Sequence, residues 1–175
     1  MEEAMPQLQP VGMQHRDSYI AMLDDHERYG ESYPWNDAKT ARVDFARFVE
    51  ELAEEAAGGA LPHGAVQQLT YVLILGDEVV GEFRLRPYIS EPYERYNGHI
   101  ACNVKPSSRG KGYGSHGLAL GLELSRGFGL DAILLTVDDR DNLPSIRVIE
   151  NNGGRLLRSA SDAEGRMIDS YWIDL

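Results

Sequence analysis

The sequence has 175 residues, of which 42% are hydrophobic and 26% are charged, and its formal net charge is -11 at pH 7. This length and composition predict one globular domain with a substantial hydrophobic core. The acidic balance argues against a general nucleic-acid-binding protein, because binding of phosphates needs clustered Lys and Arg. An apolar run of about 18 residues, which a membrane-spanning helix needs, does not occur in the sequence.

The cysteine content and the first residues bear on location. The single cysteine, Cys102, excludes an internal disulfide and a Cys-based zinc site, and no metal is expected. Residues 1–10 are acidic and lack the apolar segment of a signal peptide. Both features fit the reducing cytoplasm, and we expect the protein to be cytoplasmic.

The spacing of apolar residues predicts two helices, followed by strands that alternate with helices. Residues 17–29 and 39–57 carry apolar side chains at helical spacing. From residue 67 the pattern is that of β-strands, with a tight hairpin turn at residues 76–78. The elements predicted after the hairpin are a strand at 98–104, a helix at 115–126, a buried strand at Ala132–Val137, a helix at 142–152 and closing strands at 154–160 and 166–175. This order predicts an α/β or α+β domain with a mixed sheet.

A glycine-rich loop joins the predicted strand that ends at Val104 to the next helix. The loop contains three glycines and two cations, which are Gly110, Gly112, Gly114, Arg109 and Lys111. The first turn of a helix has unpaired N–H groups and a partial positive charge, and glycines allow an anion to reach such groups. The loop can also be read as a flexible turn with ordinary surface cations. The strand–loop–helix context favours a site for a phosphate or pyrophosphate.

The same loop also matches the dinucleotide fingerprint G-x-G-x-x-G from Gly112 to Gly117, and Asp138 ends the next predicted strand. However, seven residues separate Val104 from Gly112, whereas the dinucleotide turn follows its strand almost directly. A hairpin precedes the loop, and one βαβ unit is too little for a fold of two halves. A dinucleotide-binding oxidoreductase therefore remains the third alternative.

Two segments resemble motifs of the GNAT superfamily of N-acetyltransferases. The segment from Arg109 to Gly114 is similar to the acetyl-CoA motif Q/R-x-x-G-x-G/A of that family. The segment from Asn142 to Gly153 is similar to its helix N-x-x-A/S-x-x-L/V-Y-x-x-x-G. The stretches RYNGHI, VIENNGG and YWIDL resemble a bacterial branch of the family, and no substrate comes with that resemblance.

The resemblance covers residues 71–175 and implies a single domain over residues 1–175. Residues 1–65 are then a variable helical part, and residues 66–175 are the sheet and the acetyl-CoA-binding core. The implied fold is a mixed, mostly antiparallel sheet of about six or seven strands, flanked by about four helices.

The resemblance also implies a set of acetyl-CoA-binding residues. They are the backbone of Cys102, Asn103 and Val104 for the pantetheine arm, the amides of Arg109, Gly110, Lys111, Gly112, Tyr113, Gly114 and Ser115 for the pyrophosphate, and Asn142 and Ser145 for further CoA contacts. Acetyl-CoA would enter a gap between the strands at 98–104 and Ala132–Val137. The tyrosine that the family often places seven residues after the motif asparagine is here Ile149, so the usual general acid is missing.

Three residues are candidates for acid–base catalysis, and each has a structural alternative. Glu82 lies mid-strand near the expected acceptor cleft, and it can equally be part of a solvated strand face. His99 lies on the key strand, where a lone histidine is more often a hydrogen-bonded structural residue. Tyr171 in the last strand can reach the cleft or fill the core. Cys102 lacks an adjacent base, and a buried strand cysteine is usually inert.

The sequence therefore predicts an N-acetyltransferase that moves an acetyl or short acyl group from acetyl-CoA to an amine by direct attack. A non-catalytic acyl-CoA-binding or sensor domain is the alternative, and Ile149 favours it. The expected partners are acetyl-CoA and an amine that the sequence does not identify, with no nucleic acid and no membrane. The sequence does not decide whether the protein forms a homodimer.

Overall fold

A computed structural model describes residues 4–35, 38–59, 61–138 and 141–175. Within these ranges the chain forms six α-helices and seven β-strands, with short 3-10 turns at Met13–His15 and Pro106–Ser108. The helices are α1 (Arg16–Arg28), α2 (Ala38–Val43), α3 (Phe45–Ala57), α4 (Glu91–Tyr96), α5 (Tyr113–Gly127) and α6 (Leu143–Asn151). The strands are β1 (Gln7–Pro10), β2 (Leu69–Leu75), β3 (Glu78–Leu85), β4 (Ile100–Val104), β5 (Ala132–Val137), β6 (Arg155–Ser161) and β7 (Met167–Asp174).

The strands form two antiparallel sheets. One has the order β1-β2-β3-β4 and the other has the order β5-β7-β6. This arrangement confirms the predicted mixed, mostly antiparallel fold of six or seven strands. It differs from the doubly wound parallel sheet that a dinucleotide-binding oxidoreductase needs.

The structure differs from the sequence prediction at two places near the N-terminus. Residues 7–10 form β1, which pairs with β2 (Gln7 opposite Ile74), so the part predicted as helical also adds a strand to the core sheet. The predicted helix at 39–57 is interrupted at Asp44, whose side chain accepts the Arg47 N–H at 3.0 Å and thereby caps α3. Val43 lies outside the apolar stripe and is 81% exposed.

Helices pack against both faces of the core sheet β1–β4. On one face, α1 and α3 bury an apolar cluster against β2 and β3, including Tyr19, Phe48 and Val72. On the other face, α5 lies against β3 so closely that a Cβ added to Gly121 would be 1.9 Å from the Phe83 ring. These two layers place the start of α5 and the end of α1 on opposite faces of β4. Among the helices of the described ranges, none is long and apolar enough to cross a membrane.

Candidate active site

The two sheets meet where the start of β4 touches β5. The His99 N–H donates to the Leu134 carbonyl at 2.8 Å, and the Leu134 N–H donates to the His99 Nδ1 at 3.0 Å. Beyond this contact β4 pairs with β3 and β5 pairs with β7, and the two strands share no ladder. The gap implied for the strands at 98–104 and Ala132–Val137 therefore opens from His99 toward the end of β4.

The edge of β4 that faces this gap carries backbone groups that β3 does not use. The Lys105 N–H donates to β3 at 2.9 Å, and because strand residues alternate, Asn103 also turns its backbone groups to β3. The backbone groups of Cys102 and Val104 then face the gap. The Val104 carbonyl accepts a hydrogen bond from the Arg109 Nε at 2.9 Å. Of the three residues predicted to pair with pantetheine, Cys102 offers both its backbone groups, Val104 offers its N–H, and Asn103 offers neither.

The loop after β4 needs two of its glycines for backbone conformation. Gly110 and Gly112 have φ values of 78° and 79°, which side chains rarely adopt, and a Cβ at either would meet no atom within 4 Å. Gly114 is needed for space instead, because its Cβ would lie 3.2 Å from a Val148 methyl of α6. The loop therefore turns sharply into α5 and leaves open space beside the turn.

The start of α5 presents backbone donors to that open space. Gly112 is the N-cap and no side chain caps the helix. The His116 N–H donates to the Gly112 carbonyl at 3.0 Å, and the preceding N–H groups, those of Tyr113, Gly114 and Ser115, have no acceptor within the helix. Donors of this kind at the positive end of a helix bind phosphate.

The two cations of the loop point in different directions. Both terminal nitrogens of Arg109 donate to the Glu31 carboxylate, at 2.6 and 2.7 Å, on the α1 side of the sheet. Arg109 therefore ties the loop to the segment after α1. Lys111 is exposed, and its Nζ lies 6.0 Å from the centre of the Tyr113 ring. Lys111 is thus the loop cation beside the helix start.

The second motif forms the beginning of α6. The Asn142 side chain accepts the Ser145 N–H at 3.2 Å and caps the helix, so the two predicted residues lie together after β5. Their contact with CoA stays a prediction. Ile149 is only 4% exposed and belongs to the apolar core, so no acid stands at the position of the family's tyrosine.

Glu82 is fully buried rather than part of a solvated strand face. One of its oxygens accepts from the hydroxyls of Tyr19 and Tyr33, the latter at 2.8 Å, and the other accepts from the Arg84 Nε at 2.6 Å. Burial, followed by the Glu82 charge, holds the pKa of Tyr33 well above its usual value. The buried Glu82 carboxylate is therefore connected to the cleft through the hydroxyl of Tyr33, which is partly exposed.

The other candidates have mainly structural surroundings. His99 uses Nδ1 to hold β5, and burial lowers its pKa. Tyr171 is 5% exposed within the apolar core. Cys102 has an exposed side chain beside the gap, yet the surrounding protein and then the Glu82 charge raise its thiol pKa to about 12. A thiol that stays protonated is a poor nucleophile.

Sequence reasoning missed a cluster of side chains that we call the α1 face, formed by His26, Tyr33, Trp35 and Asn103. The His26 Nε2 lies 2.9 Å from the Asn103 Nδ2, and its ring centre lies 5.2 Å from that of Tyr33. The Trp35 ring packs 5.4 Å from Tyr33 and lies under the Arg84 guanidinium at 4.2 Å. The two aromatic residues of the helix-breaking stretch 30–35 were the signal available in the sequence.

The fold and the site define a protein that can hold an extended, phosphate-bearing ligand between two diverging strands. Residues 21–153 match the acetyltransferase (GNAT) family, and the chain belongs to this family of acetyltransferases. The match confirms the family predicted from the two motifs. No curated protein matches the chain.

Solved acetyltransferase structures share the fold over nearly the whole chain. RimJ from Mycobacterium smegmatis, in complex with CoA-disulfide, has a TM-score of 0.72 at 21% identity, covering 95% of this chain and 80% of that one. The microcin C7 self-immunity acetyltransferase MccE, in complex with acetyl-CoA and AMP, has a TM-score of 0.72 at 12% identity, covering 99% and 94%. YncA from Salmonella typhimurium, with its cofactor acetyl-CoA, has a TM-score of 0.65 at 16% identity, covering 97% and 94%.

Proposed function

We propose that the protein transfers an acetyl or short acyl group from acetyl-CoA to an amine by direct attack. The observation that carries this proposal is the gap between β4 and β5, which opens beside the uncapped start of α5. An extended arm and a pyrophosphate joined to it need these two features side by side. RimJ, MccE and YncA, which share the fold, were solved with CoA-disulfide or acetyl-CoA, and this supports the proposal.

In this proposal the N–H groups at the start of α5, with Lys111, bind the pyrophosphate of acetyl-CoA. The pantetheine arm runs along the open edge of β4 and pairs with Cys102 and Val104 as an added strand would. Asn142 and Ser145 approach the arm from the α6 side. The amine enters from the α1 face.

The reaction forms one N–C bond and breaks one C–S bond. The amine attacks the thioester carbonyl and produces a tetrahedral oxyanion, for which the open edge offers the N–H groups of Cys102 and Val104. Collapse of this intermediate releases the amide and the CoA thiolate, which takes a proton from solvent. The amine's proton passes through Tyr33, which is partly exposed, to the buried Glu82 carboxylate.

A second candidate function is binding of acyl-CoA without turnover. The observation in its favour is Ile149, which is buried in the core where the family pattern supplies a tyrosine. Only turnover of acetyl-CoA distinguishes the two functions, because both need the same cofactor site.

The test is a melting scan followed by an activity assay. Acetyl-CoA at one hundred times its dissociation constant should add about 2.7 kcal/mol of stability, and NADH should add none. CoA-thiol release is then followed over a panel of alkyl amines, amino acids and peptides. Binding without release from any amine supports the sensor, and a scan without an acetyl-CoA shift overturns both functions.

A further inference from the structure

The side chain of Asn103 is the polar group of β4 on the α1 face that the proposed chemistry leaves unassigned. Its ladder partner is Glu82, so the two side chains lie on the same face of the sheet. The side chain is partly exposed, and its Nδ2 lies 2.9 Å from the His26 Nε2. In the part of the chain that the structure describes, no protein group donates to its Oδ1.

The surroundings of His26 decide which way this amide points. His26 is 1% exposed, and its Nδ1 lies 3.5 Å from a Glu31 carboxylate oxygen, an electrostatic contact longer than a hydrogen bond. Burial and the Arg109 charge lower the pKa of His26, and the paired Arg109 lowers the pKa of Glu31. In the neutral ring, a carboxylate oxygen 3.5 Å from Nδ1 favours the tautomer with its hydrogen on that nitrogen.

The tautomer fixes the amide. With the hydrogen on Nδ1, the Nε2 of His26 is a bare acceptor, and the Asn103 Nδ2 must donate to it. Because the two polar atoms of an amide point in different directions, Oδ1 is turned away from His26. The outcome is a hydrogen-bond acceptor on the α1 face, the side from which the amine is proposed to enter.

We propose that the Asn103 Oδ1 binds an N–H of the amine acceptor and that His26 and Glu31 are positioning residues for this oxygen. The inference rests on the proposed function and assigns the acceptor subsite to β4. It also links the two substrates, because Arg109 of the cofactor loop holds Glu31 through two hydrogen bonds at 2.6 and 2.7 Å. An acceptor oxygen at this place suits primary amines, which keep N–H groups while they attack.

The first test needs no acceptor. Long-range proton–nitrogen spectra of the labelled protein give the tautomer of each histidine ring. The expected result for His26 is a hydrogen on Nδ1 near pH 7.5. A hydrogen on Nε2 would turn the Asn103 oxygen inward and would overturn the proposal.

The second test separates acceptor binding from cofactor binding. Asn103→Ala should raise the KM for the best amine of the panel about tenfold or more, as expected for a hydrogen bond to a charged or reacting group. Asn103→Asp keeps an acceptor oxygen but loses the donor to the His26 Nε2, so it should recover only part of this loss. The acetyl-CoA dissociation constant, measured by calorimetry, should change less than about threefold in both. A matching rise in that constant, or an unchanged amine KM, counts against the assignment.

A double-mutant cycle tests the positioning role of His26. His26→Phe keeps a buried ring but removes the acceptor, and it should raise the amine KM in the wild type and not in the Asn103→Ala background. His15→Phe is the matched control, because His15 is also buried, at 4% exposed, and lies outside this cluster. It should leave the amine KM unchanged. Additive effects of His26→Phe and Asn103→Ala would overturn the link between them.

Failure of this inference can be told apart from failure of the proposed function. If acetyl-CoA does not bind or no amine is acetylated, the proposed function fails, and the tautomer of His26 still decides the orientation of Asn103. If turnover is found and Asn103→Ala does not affect the amine KM, only the inference fails.

Discussion

Gly98 and Leu134 are so close that a Cβ added to Gly98 would lie 2.4 Å from the Leu134 carbonyl oxygen. Gly98 also has a φ of 65°, in the left-handed region that favours glycine. This close approach of Gly98 to Leu134 lets the backbone of His99 hydrogen-bond to β5. It also fixes the point from which the gap between β4 and β5 opens. Glycine at position 98 therefore serves both the backbone turn and the junction of the two sheets.

Gly98→Ala should destabilise the protein more than a matched glycine substitution. Gly30 has a similar φ of 72°, and a Cβ there would meet no atom within 4 Å. Gly30→Ala should therefore cost about 1–2 kcal/mol from the backbone alone. Gly98→Ala should cost at least about 1 kcal/mol more, because the clash adds to the strain. Urea unfolding measures both, and equal losses would show that the junction relaxes freely.

Gly112→Val should abolish acetyl-CoA binding in a protein that still folds. A β-branched residue resists a φ of 79° and would displace the backbone donors at the start of α5. Losing several hydrogen bonds to a charged group should raise the dissociation constant at least about a hundredfold. Arg109→Ala should only weaken binding, because its guanidinium is paired with Glu31.

Gly165→Val is the control for this prediction, because Gly165 has a φ of 81° and lies in the turn between β6 and β7. It should cost similar backbone strain and leave acetyl-CoA binding intact. Calorimetry on folded variants decides the matter, and similar small losses for Gly112→Val and Gly165→Val would place the phosphate elsewhere.

The elements that form the proposed cofactor site were predictable because each is local in the sequence. The loop, the start of α5 and the start of α6 are each encoded within about a dozen neighbouring residues, and their glycines and caps follow from backbone physics. The strand β1 was not predicted because its four residues, from Gln7 to Pro10, contain only one strand-forming apolar residue, Leu8. The break at Asp44 lay within a continuous helical pattern.

The acceptor side was not predictable because its contacts join distant residues. Asn103 and His26 are 77 positions apart, and Arg109 and Glu31 are 78 positions apart. No spacing in the sequence marks such pairs. Arg109 was assigned to the phosphate through its amide and its place in the motif, and only the fold shows that its guanidinium reaches Glu31.

Glu82→Gln should destabilise the protein strongly. The carboxylate is fully buried and accepts from three donors, so its loss removes the charge that balances Arg84. Breaking such a buried pair costs about 3–5 kcal/mol. Glu51→Gln, which breaks the exposed pair with Arg47 at 2.8 Å, should cost less than about 1 kcal/mol. Similar losses for the two variants in urea unfolding would contradict the structural role of Glu82.

Stability should fall as the pH is lowered below about 6.5. Burial is the largest cause that lowers the pKa of His15, His26 and His99 from 6.5. The unfolded chain therefore binds more protons than the folded protein in the window below 6.5, and the free energy of unfolding rises with pH there.

This contribution is complete above about pH 6.5 and shrinks toward the lowered pKa values. Asp25 and Glu31, whose pKa values are also lowered, add a further loss only in the more acidic range of carboxyl titration. Unfolding at about pH 5.5 and 7.5 checks the sign, and His15→Gln should flatten the slope. A protein equally stable at both pH values would show that these histidines are not buried in their neutral form.

The last prediction concerns the missing tyrosine. Ile149 is 4% exposed and Tyr171 is 5% exposed, both within the apolar core, so we expect neither position to supply an acid to the thiolate. A thiol with a pKa of about 8.5 gives a tolerable leaving group near neutral pH, so turnover does not require that acid. Deprotonation of the amine limits the rate more strongly, because roughly one alkyl amine molecule in a thousand is neutral at pH 7. The value of kcat/KM should therefore rise from about pH 7 to 9 without a marked falling limb.

Two tyrosine variants distinguish the base from an unrecognised acid. Tyr33→Phe removes the hydroxyl that bonds Glu82 at 2.8 Å and should lower kcat/KM most at the low end of the pH range, where the proton must leave the amine. Tyr171→Phe should change kcat/KM less than about tenfold, since a general acid is typically worth 10²–10⁴-fold. If Tyr171→Phe lowered kcat/KM more than about a hundredfold while the acetyl-CoA affinity was unchanged, Tyr171 would be the general acid. Strand β7 would then supply the acid that Ile149 of α6 does not.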